Sequence, residues 1–191
     1  MDEFEISENA GRRNMFLAQV SHESRFNANA ENLNYSAEAL VKTWPSRFVS
    51  LEFAREFARN PEKIGDFVYS NRLSLGNGTN EGFLYRGRGG IQITGKSNYR
   101  EVSTALGLGS NLVINPDLLL DDNLAWRASA WFWKTRNLNE LVDKKPGDVK
   151  AITKVVNGGF NNLDHRVEQY RRILHYMPDN GGELLANLNL C

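Results

Sequence analysis

The stretch Met15-Phe16-Leu17-Ala18-Gln19-Val20-Ser21-His22-Glu23-Ser24 decides how the chain reads. On a helix, positions 16, 19, 20 and 23 share one face. Glu23 therefore continues the stripe that Phe16 and Val20 begin. A carboxyl group there is half of a buried ion pair, with Arg25 or Arg166 as partner, or an acid kept poorly solvated. Poor solvation raises a carboxyl pKa, which a general acid needs to hold its proton near neutrality.

Outward from this helix, predicted over about 11–23, the chain reads as mostly α. A helix is expected over 36–44, with Ser36 as its cap and Trp44-Pro45 at its end. Residues 50–59 keep helical spacing until Asn60-Pro61, and Pro61 opens a short helix through Tyr69. Further helices are expected over about 97–106, 123–135, 149–157 behind the cap Asp148, and 164–177. Asn115-Pro116 and Asn157-Gly158-Gly159 act as breaks. The expected unit is one catalytic domain over 1–191, with a core of about 11–177 and a weakly ordered tail over 178–191.

One excursion breaks the pattern. Glycines crowd between Gly76 and Gly95, and Asn77-Gly78 signals a turn. In Tyr85-Arg86-Gly87-Arg88-Gly89-Gly90-Ile91-Gln92-Ile93-Thr94-Gly95, an extended run over 91–94 turns Ile91 and Ile93 to the core. Gln92 and Thr94 then face a cleft, and the flanking glycines let a ligand approach the backbone. Amides, hydroxyls, arginines and aromatic faces suit a sugar groove and also occur in ordinary polar loops.

Composition removes several alternatives. Lys plus Arg equals Asp plus Glu, 23 each, which gives no support for nucleic-acid binding. No apolar run approaches the length of a membrane span, so no stable membrane association is expected. The start Met1-Asp2-Glu3-Phe4-Glu5 lacks the features of a secretory signal. The single cysteine, Cys191, rules out an internal disulfide and a cysteine-based zinc site.

Five ordered motifs carry a resemblance. They are His22-Glu23-Ser24, Glu31-Asn32-Leu33-Asn34-Tyr35-Ser36, the 85–95 loop with Asn98-Tyr99, Ala128-Ser129-Ala130-Trp131-Phe132-Trp133, and Val156-Asn157-Gly158-Gly159 with Arg166. Together they resemble family-19 glycoside hydrolases, in the style of bacterial and bacteriophage endolysins, over about residues 12–176. Where the family's acid motif usually continues with glycines, this chain has Ser24-Arg25-Phe26.

The resemblance implies a mainly α, lysozyme-like, two-lobed domain whose glycine-rich loop and short extended segment line a cleft. It implies inverting cleavage of β-1,4 bonds in polymers of N-acetylated amino sugars. Glu23 matches the general acid, and Glu31 matches the carboxylate that activates water, with Glu81 as the alternative. Inversion needs roughly 6.5–9.5 Å between the two carboxyl groups to admit that water. Thr94 matches the hydroxyl that orients the water. His22, Tyr85, Gln92, Asn98, Asn157 and Arg166 match groups that bind sugar or support the acid. No metal or organic cofactor is implied. The expected partner is a glycan, peptidoglycan or chitin-like, and the protein a monomer. The expected role is an endolysin made in the host cytoplasm and acting on the cell wall, in the periplasm, after release. A chitinase and an inactive glycan-binding protein on the same scaffold are the rivals.

Plainer readings stand beside these. His22-Glu23 does not extend to a zinc-protease motif, because no histidine follows three residues after Glu23. Trp131-Phe132-Trp133 reads as core, and His165 and His175 as surface or interface histidines. Arg86 and Arg88 tie the loop to nearby acids or contact substrate, and Glu81 is by default a solvated charge.

Overall fold

The computed structural model describes residues 1–178. The expected tail over 178–191, with Cys191, therefore lies outside the described residues apart from Pro178. Helix α1 (Ala10–Ser24) starts where the Asn9 side chain accepts the Arg12 N–H, and it ends at Arg25 in the left-handed region. A two-residue strand β1 (Asn29–Ala30) follows. Then come α2 (Ala37–Thr43), α3 (Leu51–Arg55) and α4 (Pro61–Tyr69), capped by Ser36, Ser50 and Asn60. Past strand β2 (Arg88–Gly89) lie α5 (Lys96–Ala105), α6 (Asn111–Ile114), α7 (Asp122–Thr135) and α8 (Leu138–Lys144). Helices α9 (Val149–Asn157) and α10 (Leu163–Tyr176) complete the described chain.

The expected helices are present with small shifts at their ends. Three differences have physical causes. The helix expected over 50–59 is helical only to Arg55 and continues as turns to Arg59, which sits at φ 61°. Helix α8 was not anticipated, because no glycine or proline separates it from α7; Asn137, at φ 53°, makes the break instead. The extended run is at Arg88–Gly89, not at 91–94. β2 pairs antiparallel with β1, and Arg88 bridges to Ile93 across a tight turn that Gly89, at φ 88°, permits. The expected alternation survives the change: Ile91 and Ile93 are buried, while Gln92 and Thr94 are partly exposed.

Three apolar clusters build the core. The first holds Phe16 and Val20 of α1 against Trp133, Ile152, Tyr170 and Leu174. The second gathers Tyr85, Ile93, Tyr99, Leu112 and Trp131 beside it. The third is made by α2 to α4 with Leu33, Phe48, Phe57 and Ile64, and forms the smaller lobe. Phe83 packs closely within that lobe: a Cβ on Gly65 would come within 2.9 Å of the Phe83 backbone. Trp131 and Trp133 are core residues, as expected. No helix among the described residues is long and apolar enough to cross a membrane.

Candidate active site

The last turn of α1 lies against α10, and a polar seam runs along their contact. Arg166, 1% exposed, donates to Oε1 of Glu23 at 2.5 Å and to Oε1 of Gln19 at 2.6 Å. The ion pair weighed from sequence is therefore real, and its partner is Arg166. The pair is one-sided in burial, since the Glu23 side chain keeps 20% of its surface. Gln19 in turn donates to the Thr153 hydroxyl, which fixes the guanidinium from behind. Two residues before Glu23, Ser21 donates to Gln169. The Nδ1 atoms of His22 and His165 are 2.6 Å apart, so one ring donates and the other accepts. Burial, and then the Arg166 charge, push His22 below the usual histidine value.

The hairpin joins this end of α1 to the chain beyond β1. Gly90 lies against Val20, Ser24 and Ser129, and the Ile91 N–H donates to the Ser129 hydroxyl. Arg88 is buried and fixes the hairpin by donating to Asp117, Leu84 O and the Tyr99 hydroxyl. That settles Arg88 as a structural residue. Arg86 donates to Phe83 O and lies over the Phe83 ring.

Glu31 stands directly after β1. Its N–H donates to Gly87 O at 2.8 Å, and its carboxylate accepts from the Tyr69 hydroxyl at 2.8 Å. Burial and the Glu31 charge push Tyr69 well above the usual tyrosine value, so it stays a donor. The Gly87 N–H lies 3.4 Å from the other Glu31 oxygen. A Cβ on Gly87 would meet Gln92 Oε1 at 2.4 Å and Thr94 Oγ1 at 3.2 Å. One backbone position thus brings Glu31, Gln92 and Thr94 together. Gln92 donates to Asn29 O and Gly89 O, while its buried Oε1 has no partner among the described residues. Asn98 donates to Thr94 O at 2.7 Å and holds that segment.

Other expected residues fall elsewhere. Glu81 accepts from Lys96 at 2.6 Å and from the Gly78 N–H, and the Lys96 bond holds its carboxyl below the usual range. Its contacts staple the glycine-rich turn. Tyr85 is not a sugar contact: it is 3% exposed, packs on Tyr99 and donates to Val113 O. Its place in the sequence beside the loop hid an inward-facing ring. Asn157 is exposed at the end of α9. Sequence reasoning missed Gln19, His165, Tyr69 and Gly87 as parts of the site. Gln19 was visible on the stripe with Glu23; Tyr69 left no local signal, because it meets Glu31 only across the fold.

The family model for glycoside hydrolase family 19, described as chitinase class I, matches residues 7–147. The chain belongs to glycoside hydrolase family 19. A family-19 domain-containing protein of Haemophilus influenzae is 39% identical over 163 residues, 84% of this chain and 77% of its own length. The acidic endochitinase pcht28 of Solanum chilense is 33% identical over 46% of this chain and 45% of its own. The chain thus spans about half the length of the plant endochitinases it matches. Chitinase C from Streptomyces griseus HUT6037 shares the fold, with a TM-score of 0.56 at 23% identity, over 93% of this chain and 62% of that chain. This family-19 member is a chitinase-like glycoside hydrolase with a lysozyme-like helical fold, and its substrate is a glycan. The matched region holds Glu23, Glu31, Gln92 and Thr94 but stops before Arg166, which grips Glu23 from outside it.

Proposed function

We propose that this hydrolase cuts β-1,4 bonds of peptidoglycan glycan strands with inversion, as a wall-degrading lysozyme of the endolysin kind. The observation that carries the mechanism is the different setting of two carboxyl groups. Glu23 is oriented by a buried cation, whereas Glu31 is oriented by the neutral Tyr69 hydroxyl beside Gln92 and Thr94. Arg166 engages one oxygen of Glu23 and leaves the other to serve the glycosidic oxygen as the general acid. Glu31 takes a proton from water that the Thr94 hydroxyl orients, and the water attacks the anomeric carbon from the opposite face. Positive charge developing on the ring is stabilised by the carboxylate and the fixed dipoles of the hairpin. Gln92 Oε1 is buried against Gly87 without a partner, and turning the amide outward would offer it to a sugar hydroxyl or acetamido N–H.

The choice of wall polymer rests on the likeness of the motifs to endolysin-type members of the family; the bacterial relative shares more of the chain than the plant enzymes do, and its name specifies no polymer. The names of those plant relatives favour a second reading, hydrolysis of chitin. On the first reading, the protein is made in the host cytoplasm and acts on the wall, in the periplasm, after release.

Mass spectrometry of products from purified peptidoglycan and from chitin oligomers tests the reading. Reducing-end glycan fragments released from peptidoglycan, with the α-anomer formed first by NMR, are the expected result. Turnover of chitin oligomers alone would replace it with the second reading, and no product from either would leave a glycan-binding protein.

A further inference from the structure

A concavity lies between α8, α9 and the loop after it. It is a shallow hollow open to solvent, of about 380 Å³, lined by Lys145, Lys150, Lys154, Leu141, Asp148 and Phe160. The three lysines are exposed, and none has a carboxylate within salt-bridge distance among the described residues. One acid, Asp148, lines the hollow with the three lysines, and it and two acids earlier in the chain have partners of their own. Asp148 caps α9 by accepting the Ala151 N–H at 2.8 Å, Asp143 is held by Arg12, and Glu140 faces Lys134. Phe160 is 48% exposed, with the Lys150 ammonium 5.3 Å from its ring centre.

This arrangement carries a small local repulsion. Lys150 and Lys154 are four apart on α9, and like charges at that spacing repel. An open aromatic ring in the same hollow adds apolar surface exposed to water. Both features are explained by a ligand that is anionic and has an apolar face to lay on the ring. Lysine supplies a mobile point charge rather than a planar fork, which suits a polymer whose anions vary in position.

We propose that this concavity is a secondary binding site for peptidoglycan itself, with the lysines taking peptide-stem carboxylates and Phe160 taking the face of a sugar ring. It rests on the reading of peptidoglycan as the substrate, and it gives that reading a charge-based element: chitin is uncharged and gains nothing from three ammonium groups. The loop that bears Phe160 continues to Asn161, whose carbonyl accepts from Arg166 behind Glu23. A strand held there is tethered to the segment that supports the acid.

The test compares wild type, the triple variant Lys145→Ser/Lys150→Ser/Lys154→Ser and the matching triple Lys→Arg variant. Each is measured for pelleting with purified peptidoglycan sacculi, for binding to vesicles of anionic phospholipid, and for hydrolysis of short neutral N-acetylglucosamine oligomers. The expected result is about tenfold weaker sacculus binding by the serine variant at moderate salt, near-normal binding by the arginine variant, and equal oligomer hydrolysis by all three. Sacculus binding by the serine variant equal to wild type would overturn the site, and so would a loss confined to vesicles. Failure of wild type to bind or cut sacculi would instead defeat the substrate reading. Thermal unfolding by circular dichroism separates either outcome from misfolding.

Discussion

Arg166 on α10 and Glu23 on α1 meet across the helix contact at 2.5 Å, the arginine fully buried and the glutamate still reaching solvent. The buried partner anchors and the exposed partner can act. Substitutions at the two positions therefore separate chemistry from stability.

Glu23→Gln keeps the size and accepts the Arg166 bond but cannot deliver a proton. Turnover should fall by a factor of about 10³ or more, with unfolding and glycan binding almost unchanged. Arg166→Met leaves Gln19 Oε1 and Glu23 without their donor and should destabilise by about 3 kcal/mol. Urea unfolding and steady-state kinetics on both variants check the split; full activity of Glu23→Gln would remove it as the acid.

Glu31→Gln and Glu81→Gln should behave oppositely. The first should lose roughly 10² to 10⁴ in turnover with little change in stability. The second breaks the Lys96 pair in the glycine-rich turn and should leave most activity. Tyr69→Phe, which removes the donor to Glu31, should lower kcat several-fold without unfolding the protein. Activity retained by Glu31→Gln and lost in Glu81→Gln would reverse the assignment of the base.

Gly87→Ala tests the assembled site without touching a reacting group. Its Cβ would lie 2.4 Å from Gln92 Oε1, so the glutamine amide must move, and it would crowd the Thr94 hydroxyl at 3.2 Å. A raised KM together with a lowered kcat is expected, while a neighbouring exposed change such as Leu84→Ala should be silent. Wild-type kinetics in Gly87→Ala would show that Gln92 has room to shift and does not set the geometry.

Stability should depend on pH through His22. Its pKa is lowered in the fold from 6.5 by burial and by Arg166, with His165 opposing protonation and Glu23 favouring it. The unfolded chain binds the proton first. Stability is thus full above 6.5 and declines as pH falls from 6.5 to the lowered folded value. Urea midpoints measured across this interval should drop for wild type and change less for His22→Gln. Identical slopes for the two proteins would assign the effect to other groups.

Much of the protein was legible in order along the chain. The stripe of Phe16, Gln19, Val20 and Glu23 located α1 and its carboxyl group, because helical periodicity is a local property. Ser36, Asn60-Pro61 and Asp148 marked helix starts for the same reason: each cap bonds to a backbone three residues away. Motif order revealed the family. The inward turn of Tyr85 and the strand at Arg88–Gly89 were not legible, since both follow from which surface the hairpin meets.

By itself, the sequence determined a mainly helical chain, the helix bearing Glu23, and the set of polar residues from which a sugar-cleaving site is drawn. Tertiary structure alone decided that Arg166 grips Glu23, that Tyr69 and Gly87 orient Glu31, and that Glu81 is tied to Lys96. Helices and caps are fixed by interactions a few residues apart and are written in local spacing. The partners of Glu23 and Glu31 are up to 143 residues distant, and only the packing of α1 on α10 and the pairing of β1 with β2 brings them within a hydrogen bond.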